Sequence, residues 1–251
     1  RGSGKTISEA NNQLVQSSEP GVLRKRYFDE GDFIERGDVL FDIDPIDAKT
    51  QLDQAQKRYA SLSIKMTRLK AEVDGTLPTF SDPLIEAAPE TVSTELALYK
   101  ARLDDLKAKS SILEQRRLQK LNEVQELKIQ FQTAKNGLVL IRREIGKVEP
   151  LVKSGLAPET RLISLQREEE ATLGQANSAE SGQERIKSAL DEIEEQLKAE
   201  KQSYVTRALT DLSAIESEVS ELGARIPALE DRVERTTIRS PVDGVINRIN
   251  Y

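Results

Sequence analysis

Few side chains in this sequence could perform covalent or acid–base chemistry. The 251 residues include no Cys and no His, which removes thiol nucleophiles, disulfides, His-based catalytic pairs and the usual zinc ligand sets. Carboxylates are abundant, as in Glu168-Glu169-Glu170, and paired acids could in principle act as general acid and base. On exposed helix faces, however, we expect these carboxylates to be solvated surface charge.

A partial phosphate-binding motif lies near the start of the chain. Gly2-Ser3-Gly4-Lys5-Thr6 matches only the end of a phosphate-binding loop. That motif also needs an earlier Gly, an upstream hydrophobic strand and a helix after the Thr. Because polar residues follow instead, we expect no nucleotide site here.

The composition predicts a thin apolar seam and a wide solvated surface. Charged residues make up 32% of the chain and aromatic residues 4%, with no Trp, so a large globular core is not expected. The net charge is −6, with Lys and Arg interspersed among the acids, which makes nucleic acid a poor partner. The absence of Cys fits an oxidising compartment such as the periplasm. No stretch of 18 apolar residues is present that would span a membrane.

The strongest periodic signal is a heptad run within residues 158–235. Steps of four and three alternate along one stripe of apolar residues: Leu212, Ile215, Val219, Leu222, Ile226, Leu229 and Val233. This spacing is typical of a coiled-coil helix. Between Leu197 and Leu212 the step is 15 residues, one more than two heptads, so the register shifts there. A helix over the whole run would be about 115 Å long, which predicts a chain that spans a distance.

Two further helices precede this run. The first is predicted at about 45–73, with Asp44 as N-cap and Pro45 in the first helical position, and residues 74–88 are predicted to be a loop. The second is predicted at about 89–153. Only about four residues separate it from the third helix, at about 158–235, so these two must be antiparallel neighbours. The first helix should pair with the C-terminal half of the third.

Short β segments flank the helices. Residues 20–44 alternate short apolar runs with turns at Gly31 and Gly37, and residues 236–251 contain two more short strands around Pro241-Val242-Asp243-Gly244. Neither part could be stable alone. The economical interpretation is one β domain that is split by the helical insertion.

These β segments resemble the two halves of a lipoyl-like domain. The first half is suggested by Glu19-Pro20-Gly21-Val22-Leu23, Glu30-Gly31-Asp32, Arg36-Gly37-Asp38-Val39-Leu40 and Ile43-Asp44-Pro45. The second half is suggested by Ile238-Arg239-Ser240-Pro241-Val242-Asp243-Gly244-Val245-Ile246. In this order, with a long three-helix insertion, the chain resembles the membrane-fusion, or periplasmic adaptor, proteins of Gram-negative bacteria. The resemblance is to the type I secretion (HlyD-type) branch in particular.

The resemblance implies a mostly α fold: a long antiparallel coiled-coil hairpin of three helices, inserted into a split, small β lipoyl-like domain. The expected domains are the first lipoyl-like half at 11–44, the hairpin at 45–235, and the second half at 236–251. Further parts of a longer protein are expected to carry a cytosolic tail, a transmembrane anchor in the inner membrane, and a β-barrel domain.

The function that the resemblance implies is that of an adaptor in a type I secretion system. Such an adaptor bridges an inner-membrane ABC transporter and a TolC-type outer-membrane channel in the periplasm. About six copies would form a conduit for an exported protein substrate. The chain itself would need no cofactor or metal and would catalyse no reaction.

The hairpin tip, at about 147–160, is the candidate docking site for the channel. Efflux adaptors carry an Arg, a Leu four residues on and a Ser seven further, and these places fall here on Lys147, Leu151 and Pro158. Only Leu151 matches, Lys147 keeps the charge, and Pro158 offers no hydroxyl. The predicted docking residues are Lys147, Leu151, Ser154, Gly155, Leu156 and Pro158. We expect Gly155 in the left-handed helix-cap position and Leu156 in the accompanying apolar contact. The alternative is that Leu151, Val152 and Leu156 merely close the helical seam.

Three other functions are compatible with the pattern. The chain could be the adaptor of a tripartite drug-efflux pump, although the three-helix insertion argues against this. It could be a structural coiled-coil protein without a transport role, but the two matching β halves would then be unexplained. It could carry a lipoyl or biotinyl group on Lys49, although we expect Lys49 within a helical turn and not on the tight hairpin that carrier domains use.

Overall fold

The computed structural model describes residues 13–250, so the partial phosphate-binding motif at 2–6 lies outside the described residues. The elements in chain order are β1 (Leu23–Arg26), β2 (Phe33–Ile34), β3 (Val39–Ile43), α1 (Ile46–Asp74), α2 (Asp82–Ala87), α3 (Pro89–Lys153), α4 (Glu159–Glu234), β4 (Thr237–Arg239) and β5 (Gly244–Val245). The predicted fold class, a mostly α chain with a long helical hairpin inserted into a small split β domain, is confirmed.

Two compact units divide the described chain. One contains the residues before 97 and after 208, and the other contains residues 97–208. The first unit holds all five strands, α1 and α2. The long helices α3 and α4 contribute to both units.

Strands from the two ends of the chain pair with each other in the first unit. β3 is the central strand of the order β1-β3-β4, and β2 pairs with β5. Both pairings are antiparallel, with Phe41 opposite Ile238 and Phe33 opposite Val245. The sheets that these strands form, called the β domain below, therefore hold together the start of α1 and the end of α4.

Two similar glycine turns support the β domain. Gly31 and Gly37 have φ angles of 94° and 96°, which a residue without a Cβ adopts without steric cost. The carboxylates of Asp32 and Asp38 each accept the backbone N–H three residues earlier, at 2.6 and 2.9 Å. The N–H groups of the two glycines donate to carbonyls beyond the helical insertion, at 2.8 and 2.7 Å. Each turn thus also joins the two halves of the β domain.

The start of α1 differs from the expectation by one residue. Pro45 occupies the N-cap position and the helix begins at Ile46. Asp44 Oδ1 still accepts the backbone N–H of Ile46, at 3.0 Å. Asp44 therefore satisfies one of the free donors at the helix start from outside the helix. The helix ends with Gly75 in the left-handed region, at φ 68°.

The prediction of a loop throughout residues 74–88 is wrong, because this segment contains α2. Ser81 is the N-cap residue in extended conformation, Asp82 lies in the first turn, and Pro83 is within the first two helical positions. Pro83 reads as a loop residue in sequence, yet a proline without an N–H is equally suited to the first turn of a helix. Leu84 N–H donates to Ser81 O at 3.0 Å and closes that turn.

Within the first unit, α1 packs antiparallel to α4. Gln51 contacts Arg232 at 3.1 Å, and further along α1, Arg58 contacts Glu218 at 3.0 Å. Residue numbers rise along α1 as they fall along α4. The predicted pairing of the first helix with the C-terminal half of the third is therefore confirmed.

A buried cluster of charged side chains joins α1 to α3. Arg68, at 1% exposure, donates to Glu72 on α1 and to Glu95 on α3. Burial alone would lower the pKa of Arg68, but the hydrogen bonds to Glu95 and Glu72 outweigh it, so this pKa lies above its usual value. Ile64 and Leu69 beside it are fully buried. Arg68 therefore stays charged and fixes how the start of α3 packs on α1.

Removing this buried cation should be far more costly than removing an exposed one on the same helix. In Arg68→Ala, two carboxylates lose their buried partner, and we expect a loss of about 3–5 kcal/mol in unfolding free energy. The matched control is Arg58→Ala, which breaks the exposed pair with Glu218 and should cost about 0–1 kcal/mol. Urea unfolding followed by circular dichroism measures both. Equal small losses in the two variants would contradict a structural role for the cluster.

Candidate functional site at the hairpin tip

In the second unit, α3 and α4 are held close together by small residues. Ala134 and Leu138 of α3 form a buried cluster with Ala176 of α4. A Cβ on Gly182 would lie 3.0 Å from a methyl group of Leu127, so a larger residue there would require the Leu127 side chain to shift. The two helices are antiparallel throughout this unit, and their seam leads directly to the tip.

A Schellman motif ends α3 at the tip. Gly155 has φ 73°, its N–H donates to Val152 O at 3.0 Å, and Leu156 N–H donates to Leu151 O at 2.8 Å. This is the double hydrogen-bond pattern of a helix closed by a left-handed glycine. The expected position of Gly155 is confirmed, and the direction in which Leu156 leaves the helix is fixed by backbone geometry.

Side-chain hydrogen bonds and an ion pair stabilise the last turn of α3. Ser154 Oγ lies 3.0 Å from Pro150 O and 3.1 Å from Leu151 O and donates to these carbonyls, which also accept the backbone N–H groups of Ser154 and Leu156. Lys153 Nζ forms an ion pair with Glu149 at 2.7 Å, as suits a cation near a helix C-terminus. Ser154 is thus a capping residue in this structure, a role that its position in the sequence alone does not indicate.

Ion pairs across the hairpin set its alignment just behind the tip. Arg161 of α4 pairs with Glu144 of α3, and Arg142 of α3 pairs with Glu169 of α4 at 2.7 Å. All four side chains remain at least partly exposed, so each pair contributes little to stability. Together they favour one alignment of α3 with α4, because the cation belongs to α4 in one pair and to α3 in the other.

The predicted docking residues lie together on the exposed end of the second unit. Leu156 is 77% exposed and Leu151 is 45% exposed. Lys147, Ser154 and Pro158 are exposed as well. Leu156 therefore contributes little to closing the seam, whereas Val148, Val152 and Ala157 at the tip are half-buried. α4 begins at Glu159, one residue later than expected, with Pro158 O accepting the N–H of Arg161 at 3.1 Å.

The remaining candidate sites have ordinary structural surroundings. Lys49 lies in the first turn of α1, where its N–H donates to Pro45 O at 2.8 Å. Among residues 13–250, no group of three or more His, Cys, Asp or Glu side chains is arranged to hold a metal ion. In the same part of the chain, none of the helices has the length and apolar character needed to cross a bilayer.

Comparison with known proteins identifies the family. The family model described as "AprE, long alpha-helical hairpin" matches residues 48–232, which is well over half of the chain. The chain belongs to this family of long α-helical hairpin proteins. The resemblance to the membrane fusion proteins of type I secretion is confirmed at this level.

Two relatives match nearly the whole chain. The type I secretion system membrane fusion protein PrsE of Rhizobium meliloti (strain 1021) is 27% identical over 98% of this chain. The alkaline protease secretion protein AprE of Pseudomonas aeruginosa is 23% identical over 96% of this chain. In both comparisons the chain spans 57% of the relative's length. A third relative, the multidrug resistance protein MdtA of Xenorhabdus bovienii (strain SS-2004), is 42% identical over 22% of this chain and 13% of its own.

Solved structures show the same fold. The soluble domain of LipC, a membrane fusion protein of a type I secretion system, superposes with a TM-score of 0.87 at 20% identity, covering 93% of this chain and 91% of LipC. The periplasmic adaptor protein EmrA superposes with a TM-score of 0.51 at 18% identity, covering 93% and 64%. The fold is thus matched better by LipC than by EmrA.

A glycine exchange at the tip should loosen it, whereas the same exchange nearby should not. In Gly155→Ala, the left-handed φ becomes strained by about 1–2 kcal/mol, so the amide of Leu156 should exchange with solvent about 5 to 30 times faster. The matched control is Gly146→Ala. Gly146 is a helical glycine at which an added Cβ would meet open space, so this variant should stabilise α3 by about 0.5–1 kcal/mol. Hydrogen exchange read by mass spectrometry compares them. Equal exchange at the tip in both variants would show that the Schellman motif does not hold it.

Proposed function

We propose that this chain is the periplasmic part of a type I secretion adaptor. In this proposal the adaptor bridges an inner-membrane ABC transporter and a TolC-type outer-membrane channel. The observation that carries the proposal is the match of residues 48–232 to the AprE hairpin family. It is supported by PrsE and AprE, two relatives whose names describe secretion and which align along almost the whole chain.

The proposed role is mechanical and needs no reacting group. β3–β4 and β2–β5 pairing anchors both ends of the helical insertion to one small domain. The antiparallel seam of α3 and α4 then presents the tip as the end of two bonded helices. An adaptor of this kind works by binding, and its specificity lies in the side chains at its contact surfaces.

The tip is the proposed contact with the outer-membrane channel. Leu156 and Leu151 expose apolar surface beside the cationic Lys147, on a turn whose backbone is fixed by the Schellman motif. A rigid exposed leucine loses little conformational freedom on binding, so more of its burial energy appears as affinity. Because Ser154 is occupied in capping, we place Leu156 and Leu151 at the centre of the contact and Lys147 at its rim.

The other partners follow from the same proposal. The transporter would contact parts of the protein outside this sequence, which would also include an anchor in the inner membrane. About six copies would surround a central path for the exported protein substrate. The proposal assigns no nucleic acid, cofactor or enzymatic step to the chain.

A second candidate is the adaptor of a drug-efflux pump. It is favoured by the 42% identity to MdtA over 55 residues and by the fold shared with EmrA. Both observations are weaker than those for secretion, because the MdtA match covers 22% of this chain and EmrA superposes with a TM-score of 0.51, against 0.87 for LipC. The two candidates differ in what is exported, a polypeptide or a small molecule.

Charge placed at the tip should abolish export. In Leu156→Asp and Leu151→Asp of the full-length protein, a carboxylate replaces the apolar contact, and we expect export of the polypeptide substrate to fall about tenfold or more, since burying an unpaired charge costs several kcal/mol. The matched control is Leu209→Asp on α4, since Leu209 and Leu151 are both 45% exposed. Immunoblotting of medium and membranes measures export and adaptor level.

The readouts separate the candidates. Loss of polypeptide export in the tip variants, with normal adaptor level and normal export in the control, supports the secretion proposal. Normal polypeptide export in all variants, or a defect confined to drug resistance, contradicts it. An equal defect in Leu209→Asp would show that the effect is not specific to the tip.

A further inference from the structure

α4 contains a proline far enough inside the helix to interrupt its backbone hydrogen bonding. The helix continues through Pro227 and ends at Glu234. Because Pro227 has no backbone N–H, it cannot donate to the carbonyl of Gly223, four residues earlier, and its ring crowds that carbonyl. Proline and glycine are also the two residues least favourable to a helix interior. We call residues 223–227 the proline turn, and it is the segment at which we expect α4 to bend most readily.

α1 lies beside the proline turn and is itself uninterrupted there. It contains neither Gly nor Pro from Ile46 to Asp74. A Cβ added to Gly223 would lie 3.5 Å from Cε2 of Tyr59, so the ring of Tyr59 lies against this glycine. The proline turn is therefore flanked by a continuous helix that does not share its weakness.

Side-chain hydrogen bonds join α1 to α4 on the side of the proline turn that is nearer the β domain. Arg232 donates to Oε1 of Gln51 at 3.1 Å. Gln56 donates to Oε1 of Glu230 at 3.3 Å. The last part of α4 is thus attached to the first part of α1.

Two ion pairs join the same helices on the other side of the proline turn. Arg58 pairs with Glu218 at 3.0 Å, and Lys70 pairs with Glu216 at 3.1 Å. All four side chains remain substantially exposed, so each pair alone adds little to stability. Together with the contacts nearer the β domain, however, they join α1 to α4 both before and after the proline turn.

α1 is also held near both of its ends. Close to its start, the N–H of Ile43 donates to the carbonyl of Thr236 just after α4, at 2.9 Å. Close to its end, Arg68 is bonded to Glu95 of α3. A bend of α4 at the proline turn would therefore pull it away from a helix that stays in place.

We propose that α1 holds α4 in one conformation across the proline turn, and that α4 bends at the proline turn when α1 is loosened. This assigns a role to the shortest of the three helices of the insertion named from sequence. With 29 residues α1 is about 43 Å long, whereas the 76 residues of α4 make about 114 Å. The direction in which α4 leaves the β domain is then set by α1 as well as by strand pairing. The inference goes beyond the adaptor role and requires no partner.

Loosening α1 beside the proline turn should speed hydrogen exchange in α4. Gln56→Gly combined with Arg58→Gly removes one contact on each side of the proline turn and places two flexible residues in α1 at its level. In the full-length protein in detergent, we expect the amides of residues 224–230 to exchange about ten times faster than in the wild type, because α4 opens locally when α1 no longer holds it. Mass spectrometry of peptic fragments measures the exchange.

The matched control places two glycines further along the same helix. Lys65→Gly combined with Lys70→Gly also breaks one exposed ion pair with α4, but it does so about 15 Å further from the proline turn. Exchange at residues 224–230 should then change by about twofold or less.

A second variant restores the missing backbone donor. Pro227→Ala returns an N–H to the helix interior. Added to the variant with glycines at positions 56 and 58, it should bring exchange at residues 224–230 back to within about twofold of the wild type. With native α1 the same substitution should have a smaller effect, because the two sites are coupled.

Each outcome decides the proposal. Faster exchange at residues 224–230 that Pro227→Ala reverses, with little change in the control, supports it. Unchanged exchange in the variant with glycines at 56 and 58 would overturn it, because α4 would then not need α1. Acceleration that Pro227→Ala does not reverse, whether local or throughout the protein, would place the weakness elsewhere and overturn it, as would equal acceleration in the control. Export is not measured here, so this result is independent of the test of the adaptor role.

Discussion

The structure depends on backbone pairing between segments about 200 residues apart in sequence. β3 pairs with β4, so that Val39 lies opposite Arg239, and β2 pairs with β5. Closing so long a loop costs conformational entropy, but the cost rises only with the logarithm of loop length. Most of that entropy is already removed by the helices, which connect the two strands through rigid segments. The β domain and the helical insertion therefore stabilise each other, since neither strand set is large enough to stand alone.

Close packing along narrow seams takes the place of a large core. Small residues bring α3 and α4 together, and Gly182 does so at a point where a Cβ would meet Leu127. In the first unit, α1 is enclosed on several sides and buries Arg68 with Glu72 and Glu95. An ion cluster of this kind contributes less to net stability than an apolar core of the same size, but we expect it to favour one arrangement of the helices, because a shifted arrangement would leave a buried charge unpaired. Specific alignment, more than large stability, is what an adaptor hairpin requires.

Heptad spacing, caps and turn residues were sufficient to predict the long helices and the left-handed Gly155 from sequence. They were less informative where several elements enclose one helix. On α1, Leu62 and Leu69 are seven residues apart on one face and are buried, but Ile64 and Arg68 outside that face are buried too, because packing on more than one side overrides a single amphipathic face. The only sequence signal for the ion cluster was an Arg and a Glu four residues apart in an apolar segment, a pattern that usually lies on the surface.

At the tip, too, some features follow from the local sequence and others depend on how the helices pack. The Gly155 turn follows from local sequence, whereas the capping role of Ser154 and the strong exposure of Leu156 depend on where the helices end in space. Periodicity identifies a face of a helix, and only the packed structure tells which faces remain available.

The most direct test of the adaptor role is site-specific photo-cross-linking from the tip in intact cells. A photoreactive amino acid at position 156 of the full-length protein, compared with one at position 209, would capture whatever lies against each helix surface. We predict adducts between position 156 and an outer-membrane channel protein, identified by mass spectrometry, and no channel adducts from position 209. Adducts from position 156 that contain only copies of this chain or soluble proteins would contradict the proposal that the tip docks on a channel.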